Sequence, residues 1–143
     1  MKLKGNIANN ELMIRSSTDH LSDVREFITS SWASYGYDAK EGIKVALSVD
    51  EACTNIIKHA YHNVADGTIK IKVDSKKNKF IVRITDKGSH FDPNQVPDPD
   101  IAGRQKKRKG GGLGMFLMKK LMDEVQYKDK GKTNELILVK YLN

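Results

Sequence analysis

The sequence predicts an α/β two-layer sandwich of the α+β class, with helices on one face of a mixed, mostly antiparallel sheet. The first observation is the order of elements in the hydrophobic pattern: a strand, two helices, two strands, a long loop, a helix and two strands. The second is that the strands after the first form two hairpins with polar turns. The third is the length of 143 residues without a Pro/Gly/Ser-rich linker, which predicts one domain over residues 1–143.

The first strand and the first helix follow each other near the start of the chain. Leu12 and Ile14 alternate with polar neighbours, which indicates a strand. Ser17 or Thr18 can cap the helix that follows, and Gly36 is expected to end it. The apolar residues of this helix have helical spacing: Leu21, Val24, Ile28 and Trp32.

The second helix is predicted to run from Asp38, which has Glu41 at capping-box spacing, to about Tyr61. On a helical wheel one side is polar, and Glu51, Asn55 and His59 form a stripe on it together with Lys44, Ser48 and Lys58. The opposite side holds Ile43, Ala46, Val49, Cys53, Ile57 and Ala60. Taken alone, the stripe favours the solvent face of an amphipathic helix over the wall of a polar cavity. Asp50, which lies towards the apolar side, fits the solvent-face interpretation poorly.

The second half of the chain contains two hairpins around a loop and a helix. The first hairpin alternates apolar residues on both sides of the turn Ser75–Lys79: Ile69, Ile71, Val73, Phe80, Val82 and Ile84. An irregular stretch from Lys87 to about Lys109 is long enough to indicate a functional loop. A glycine run then opens a helix with Leu113, Phe116, Leu117 and Leu121. The last two strands are predicted at about Glu124–Lys128 and Asn134–Leu142.

The composition limits the classes of function. The net charge is +7, but residues 104–109, Arg-Gln-Lys-Lys-Arg-Lys, supply five of these charges. Because the basicity is one local patch without interleaved aromatic residues, direct nucleic-acid binding is disfavoured. No apolar run is long enough to span a membrane, and the start of the sequence lacks the apolar segment of a secretion signal. Cys53 is the only cysteine, so a cytoplasmic protein is expected.

Three groups of residues suggest chemistry. Glu51 and Asn55 lie one helical turn apart and offer a carboxylate, which can deprotonate a nucleophile, and an amide oxygen, which suits Mg²⁺. Asp86, at the end of a buried strand, can accept a hydrogen bond from adenine N6, and Gly88 leaves room for a flat ring, although an ordinary turn has the same pattern. The glycines before the last helix can hold phosphates or act as a hinge, and they match neither a P-loop nor a Rossmann turn. Together the three groups indicate ATP binding.

These residues resemble the boxes of the GHKL ATPase superfamily. Residues 51–61, Glu-Ala-Cys-Thr-Asn-Ile-Ile-Lys-His-Ala-Tyr, are similar to its N box, and residues 86–93, Asp-Lys-Gly-Ser-His-Phe-Asp-Pro, to its G1 box. Gly110 to Met115 resembles the G2 box, and Gly131-Lys132-Thr133 the late threonine motif that supports the adenine pocket. The Asp-x-Gly-x-x-Phe form is most similar to bacterial anti-sigma-factor serine/threonine kinases. His90 replaces a glycine of the broader superfamily, which fits that branch and disfavours gyrase-like or chaperone-like functions.

The resemblance implies a Bergerat (histidine-kinase-like ATPase) fold, with ATP between the second helix and a lid at about residues 87–111. It implies that Asn55 ligates Mg²⁺, that Asp86 reads adenine N6 and that Glu51 is the general base. Lys58 matches a phosphate-contacting lysine of related histidine kinases, whereas His59 is expected to pack or to hydrogen-bond. The other implied nucleotide-binding residues are Gly88, Phe91, Gly110, Gly111, Gly112, Leu113, Gly114, Met115 and Thr133.

The function that the resemblance implies is an ATP-dependent anti-sigma factor that is also a serine/threonine protein kinase. Its substrate would be an anti-sigma-factor antagonist of the STAS type, its other partner a sigma factor, and its assembly a homodimer. No direct contact with nucleic acid or membrane is expected. The alternative is a nucleotide-gated regulatory binding module without phosphotransfer. Glu51 argues against this alternative, because binding alone does not require a base.

Overall fold

Five antiparallel strands form one sheet with three helices on one face in the computed structural model, which describes residues 10–95 and 112–142. The sheet order is β1-β2-β3-β5-β4. The strands are β1 (Glu11–Arg15), β2 (Thr68–Lys76), β3 (Lys79–Asp86), β4 (Glu124–Asp129) and β5 (Asn134–Tyr141). The helices are α1 (Leu21–Ser34), α2 (Ala39–Asn55) and α3 (Gly112–Leu121). The predicted fold class and order of elements are therefore confirmed, and every strand pair is antiparallel.

The core lies between the helices and the sheet because alternate strand residues point to the same face. Inward residues of the strands, such as Leu12, Ile71 and Val82, are fully buried against Val24 and Ile28 of α1. A smaller apolar cluster lies on the outer face: Ile81, Ile137 and Val139. Among the described residues, no helix is long and apolar enough to cross a membrane.

The turn between β2 and β3 is tighter than predicted. Lys76 pairs with Lys79, so only Lys77 and Asn78 form the turn. Their φ angles are +52° and +63°, as in the two-residue turns whose twist matches that of a hairpin. This turn fixes the register that places Asp86 at the end of β3.

The starts of α1 and α2 differ from the predicted caps in detail. The Ser17 side chain accepts a hydrogen bond from the Asp19 amide and caps a short 3₁₀ turn, after which α1 begins at Leu21. Asp38 caps α2 by accepting from the Lys40 amide at 3.1 Å. The reciprocal half of the predicted capping box is absent, because the Glu41 carboxylate binds the Lys44 ammonium instead.

The helical wheel drawn for α2 is partly wrong. Ile43, placed on its apolar side, is 64% exposed, whereas Ser48, placed on its polar side, is fully buried. Asp50 pairs with Arg25 of α1 at 2.7 Å, which explains a carboxylate at that position. The helix ends at Asn55 and continues as a π-helical turn over Ile56–Ala60, so the predicted extent to about Tyr61 holds only with this change of helix type.

Candidate functional site

A pocket lies where the end of α2, the end of β3, α3 and the β4–β5 hairpin meet. Its walls are largely apolar with a few polar groups, the composition typical of sites for flat organic ligands. The residues that line it are Ala52, Asn55, Ile56, Ala60, Asp86, Ser89, Phe91, Pro93, Met115, Met118, Tyr127, Asn134 and Leu136. Four residues predicted from the sequence are therefore brought together here: Asn55, Asp86, Phe91 and Met115.

The Asp86 carboxylate is one of the polar groups that line this pocket. Asp86 is the last residue of β3 and is only 5% exposed. Its Oδ1 accepts hydrogen bonds from the Gly88 amide at 2.8 Å and from Asn134 Nδ2 at 3.0 Å. Burial raises the pKa of the carboxyl group, and these two hydrogen bonds oppose the rise. No described donor binds Oδ2, so this oxygen can accept from a ligand.

Asn55 has a buried side-chain oxygen without a partner. Its Nδ2 donates to the Glu51 carbonyl at 2.7 Å, one turn back in α2. Among the described residues, Asn55 Oδ1 is the buried side-chain polar atom that finds no hydrogen-bond partner. Such an orphaned acceptor costs about 1–3 kcal/mol. A hard cation removes that penalty, so Asn55 fits the magnesium ligand that the sequence predicts.

The rest of a magnesium shell would have to come from the nucleotide and from water. The described residues hold no cluster of three or more His, Cys, Asp or Glu side chains that would bind a metal. Mg²⁺ keeps several waters and is often held by one or two protein ligands plus substrate phosphates. Asn55 in this pocket therefore fits a metal that arrives with a nucleotide.

Glu51 lies beside the start of α3. A Cβ atom added at Gly114 would overlap Oε1 of Glu51, so the glycine allows the carboxylate to lie against the helix. Burial and the neighbouring Asp50 raise the pKa of the Glu51 carboxyl group, and Lys58 opposes the rise. A raised pKa makes the carboxylate a stronger base. The side chain of Lys58 itself is exposed.

The loop after β3 packs against the π-helical turn. A Cβ atom at Gly88 would collide with the Ala60 carbonyl oxygen, and the Ser89 amide donates to that same oxygen at 2.9 Å. Gly88 is thus required for the close approach of this loop to the end of α2. The contact sets the position of the loop next to Asp86.

Phe91 forms one side of the pocket and stacks on His59. The two ring centroids are 4.6 Å apart, and the Phe91 amide donates to the Tyr127 hydroxyl at 3.1 Å. Burial lowers the pKa of His59, and the nearby Lys58 lowers it further. The stacking on Phe91 gives His59 a packing role, one of the two roles, packing or hydrogen bonding, that the sequence predicts for it.

The other predicted residues lie away from the pocket or beyond the described ranges. Thr133 is in the β4–β5 turn, where its carbonyl accepts from the Lys130 amide, and it does not line the pocket. Gly112 and Leu113 begin α3. Gly110, Gly111 and the basic run 104–109, with most of the predicted lid, lie outside the described residues.

Asn134 and Tyr127 line the pocket, although the sequence analysis names neither as a site residue. Asn134 pairs directly with Asp86 across β3 and β5, and the Tyr127 hydroxyl donates to Asn134 Oδ1 at 2.9 Å. The only local signal is that Asn134 follows the Gly131-Lys132-Thr133 segment immediately. Its contact with Asp86 depends on strand register, which the sequence pattern does not supply.

Comparisons with known proteins show the family to which the chain is similar. A family model described as "Histidine kinase-like ATPase domain" matches residues 14–140. A "Serine-protein kinase RsbW" of Listeria monocytogenes is 35% identical over 119 residues, which are 80% of this chain and 73% of that protein. Its namesake from Bacillus subtilis is 30% identical over 149 residues, covering 99% of this chain and 90% of that protein.

A solved structure shows the same fold at lower sequence identity. It contains the RsbU and RsbW domains of a Mycobacterium tuberculosis protein, with a TM-score of 0.64 and 16% identity. The match covers 92% of this chain but 31% of that longer chain. At this identity the likeness concerns the fold alone.

Proposed function

The chain belongs to the family of histidine kinase-like ATPase domains, and we propose that it is an ATP-dependent serine/threonine protein kinase and anti-sigma factor that phosphorylates an anti-sigma-factor antagonist. The proposal rests on one observation about the pocket. The same pocket presents a buried carboxylate, Asp86, and a buried amide oxygen without a partner, on Asn55. The first suits an adenine amine and the second suits the magnesium of Mg-ATP.

The chain's own residues supply binding and proton transfer. Asp86 Oδ2 accepts from the exocyclic amine of adenine, while Phe91, Met115 and the other apolar walls enclose the ring. Asn55 Oδ1 would hold Mg²⁺, which when bound offsets charge on the phosphates. Glu51 accepts the proton of the substrate serine or threonine hydroxyl. That hydroxyl oxygen bonds to the γ-phosphorus, the bond from phosphorus to the bridging oxygen breaks, and ADP leaves.

We also propose partners and a location for the protein. The Listeria monocytogenes and Bacillus subtilis relatives are serine-protein kinases by name, at 35% and 30% identity over 80% and 99% of this chain. We assign this chain a STAS-type antagonist as phosphate acceptor, a sigma factor as the protein it sequesters, and a homodimeric state. The protein acts in the cytoplasm, without direct contact with nucleic acid or membrane.

The test is phosphotransfer from radiolabelled ATP to the antagonist encoded nearest to this chain's reading frame. Glu51→Gln keeps the size and most hydrogen bonding of the side chain, so it should retain ATP binding and lose about 10²–10⁴-fold in transfer rate. Glu41→Gln is the matched control, because Glu41 lies on the same helix but binds Lys44 at the surface. It should transfer phosphate at the unmodified rate.

Two outcomes contradict the proposal in different ways. Unimpaired transfer by Glu51→Gln would remove Glu51 from the role of base. No transfer by the unmodified protein, together with ATP-dependent binding of the antagonist or sigma factor, would replace the kinase by a nucleotide-gated binding module.

A further inference from the structure

The Asn134 side chain uses its whole hydrogen-bonding capacity inside the pocket. Asn134 is 2% exposed. Its Nδ2 donates to Asp86 Oδ1 at 3.0 Å and to the Gly88 carbonyl at 2.9 Å. Its Oδ1 accepts from the Tyr127 hydroxyl at 2.9 Å and also contacts Nδ1 of His90. An amide has two donor hydrogens and two acceptor sites, so no capacity is left over.

These contacts permit one orientation of the amide. Nδ2 must face Asp86 and Gly88, because a carboxylate and a carbonyl only accept. Oδ1 then faces the Tyr127 hydroxyl and Nδ1 of His90, which donates to it in the Nδ1–H form of the ring. The other ring nitrogen of His90 lies 3.1 Å from the Asp129 carboxylate at the surface, a contact that is an ion pair only when both ring nitrogens carry a proton. A flipped amide would set oxygen against oxygen at Asp86.

The fixed amide determines which oxygen of Asp86 is available. Asn134 Nδ2 and the Gly88 amide both bind Oδ1, which leaves Oδ2 without a described protein donor. This oxygen can accept a hydrogen bond from an exocyclic amine at C6 of a purine. A C6 carbonyl, as in hypoxanthine, would place an acceptor against an acceptor.

We propose that Asn134 is a positioning residue that determines base specificity: its amide, locked by Tyr127 and His90, holds Asp86 so that the pocket selects a 6-aminopurine over a 6-oxopurine. This inference rests on the proposed function, in which Asp86 reads the base. Asn134 acts only through Asp86. Its role is therefore measured by the ratio of the affinities for two nucleotides that differ in the base.

The test compares ADP and inosine diphosphate, which differ at C6, by titration calorimetry in excess Mg²⁺. Asn134→Thr and Asn134→Val form a matched pair, because the two side chains have the same shape and only threonine keeps a hydroxyl that can donate to Asp86. The valine variant should lose about tenfold or more in ADP affinity, as expected for a hydrogen bond to a charged group, with little change for inosine diphosphate. The threonine variant should keep most of the discrimination.

Several outcomes separate this inference from the proposed function. Equal affinity of the unmodified protein for both nucleotides would overturn base reading by Asp86 itself. A discriminating unmodified protein and an equally discriminating Asn134→Val variant would overturn only the role of Asn134, as would a parallel loss of both affinities. Thermal unfolding without nucleotide checks that each variant folds.

If the valine variant does not fold, the same affinity measurement is made on His90→Ala. The His90 side chain is half exposed, so its loss should leave the core intact. It removes one donor to Asn134 Oδ1, and a fall of about threefold or more in the ADP preference supports the proposal. An unchanged preference overturns it.

Discussion

At the scale of single residues, Asp86 shows a conflict between binding and stability. Burial raises the pKa of its carboxyl group more than the hydrogen bonds from Asn134 and Gly88 lower it. The folded chain therefore binds this proton more tightly than the unfolded chain does. Stability contributed by the group falls as pH rises from the unfolded pKa of about 3.9 through the raised folded pKa, so the cost is present at pH values above the folded pKa.

Asp86→Asn should therefore stabilise the protein while it weakens ATP binding. The amide oxygen can still accept from Gly88 and Asn134, and no charge is buried. We expect the melting temperature at pH 7 to rise by a few degrees, the shift that about 1 kcal/mol produces in a domain of this size. The gain should shrink steadily between pH 7 and pH 4 in thermal unfolding followed by circular dichroism. A gain that is the same at both pH values would show that ionisation of Asp86 is not its cause.

Two glycines at the pocket should respond differently to the same added methyl group. In Gly114→Ala the methyl meets the far end of the flexible Glu51 side chain, which can move away. The fold should be kept, while phosphotransfer falls by about 10²-fold or more because the base is displaced. In Gly88→Ala the methyl meets the rigid Ala60 carbonyl, and the expected loss is about 1–3 kcal/mol of stability. Melting curves and transfer rates of both variants are the measurement; an unchanged rate for Gly114→Ala would contradict the placement of Glu51.

The sequence predicts those site residues well that lie at the ends of helices and strands, because the local hydrophobic pattern shows where these elements end. Asn55 and Asp86 stand at helix and strand ends that can be read from periodicity, and both reach the pocket. Asn134 was missed because its partner is 48 residues away and is met only through the β3–β5 register. The late threonine motif points to its neighbour Thr133, which does not line the pocket, and a shift of one residue along a strand turns the side chain to the other face.

At the scale of elements, α2 shows why a helical wheel is an incomplete guide. The wheel assumes one buried face and 100° per residue, whereas α2 packs against α1, α3 and the π-helical turn. A helix with several neighbours buries residues around more of its circumference, and Ser48 of α2 is fully buried. Ile43 projects to solvent even though its side chain is apolar. The existence and span of the element were predictable, but its contacts depend on helices elsewhere in the chain.

The π-helical turn after α2 is tied to the sheet through Tyr61. The Tyr61 hydroxyl donates to the Thr68 carbonyl at 2.6 Å and accepts from the Lys87 amide at 2.7 Å, so it joins the start of β2 to the residue after β3. Tyr61→Phe leaves two backbone groups unpaired and should cost about 1–3 kcal/mol in urea unfolding. Tyr141→Phe is the matched control, because that hydroxyl binds Glu124 at the surface, and it should cost well under 1 kcal/mol. Equal losses would show that the Tyr61 bridge contributes nothing specific.

At the scale of the whole molecule, the sheet order brings distant segments to one end of the fold. Four segments meet there: the C-terminal ends of α2 and β3 and the N-terminal ends of α3 and β5. In the sequence they are spread over about half of the chain. The sequence therefore predicts which segments carry chemistry, and the antiparallel order explains why they share one pocket. It does not predict the contacts between them, because those require the packed positions of α3 and the β4–β5 hairpin.

Binding of Mg-ATP at this pocket should stabilise the whole chain by linkage. Ligand at 100 times its dissociation constant adds about 2.7 kcal/mol to the free energy of unfolding, which corresponds to several degrees in melting temperature. The increase should be clearly smaller in EDTA, because Asn55 Oδ1 then lacks its cation. Asn55→Ala should abolish the difference between Mg²⁺ and EDTA, whereas Thr54→Val should keep it, since the Thr54 hydroxyl binds the Asp50 carbonyl away from the pocket. Thermal shift assays with ATP in both buffers provide the measurement, and equal increases for the unmodified protein with and without Mg²⁺ would exclude Asn55 as the ligand of the metal.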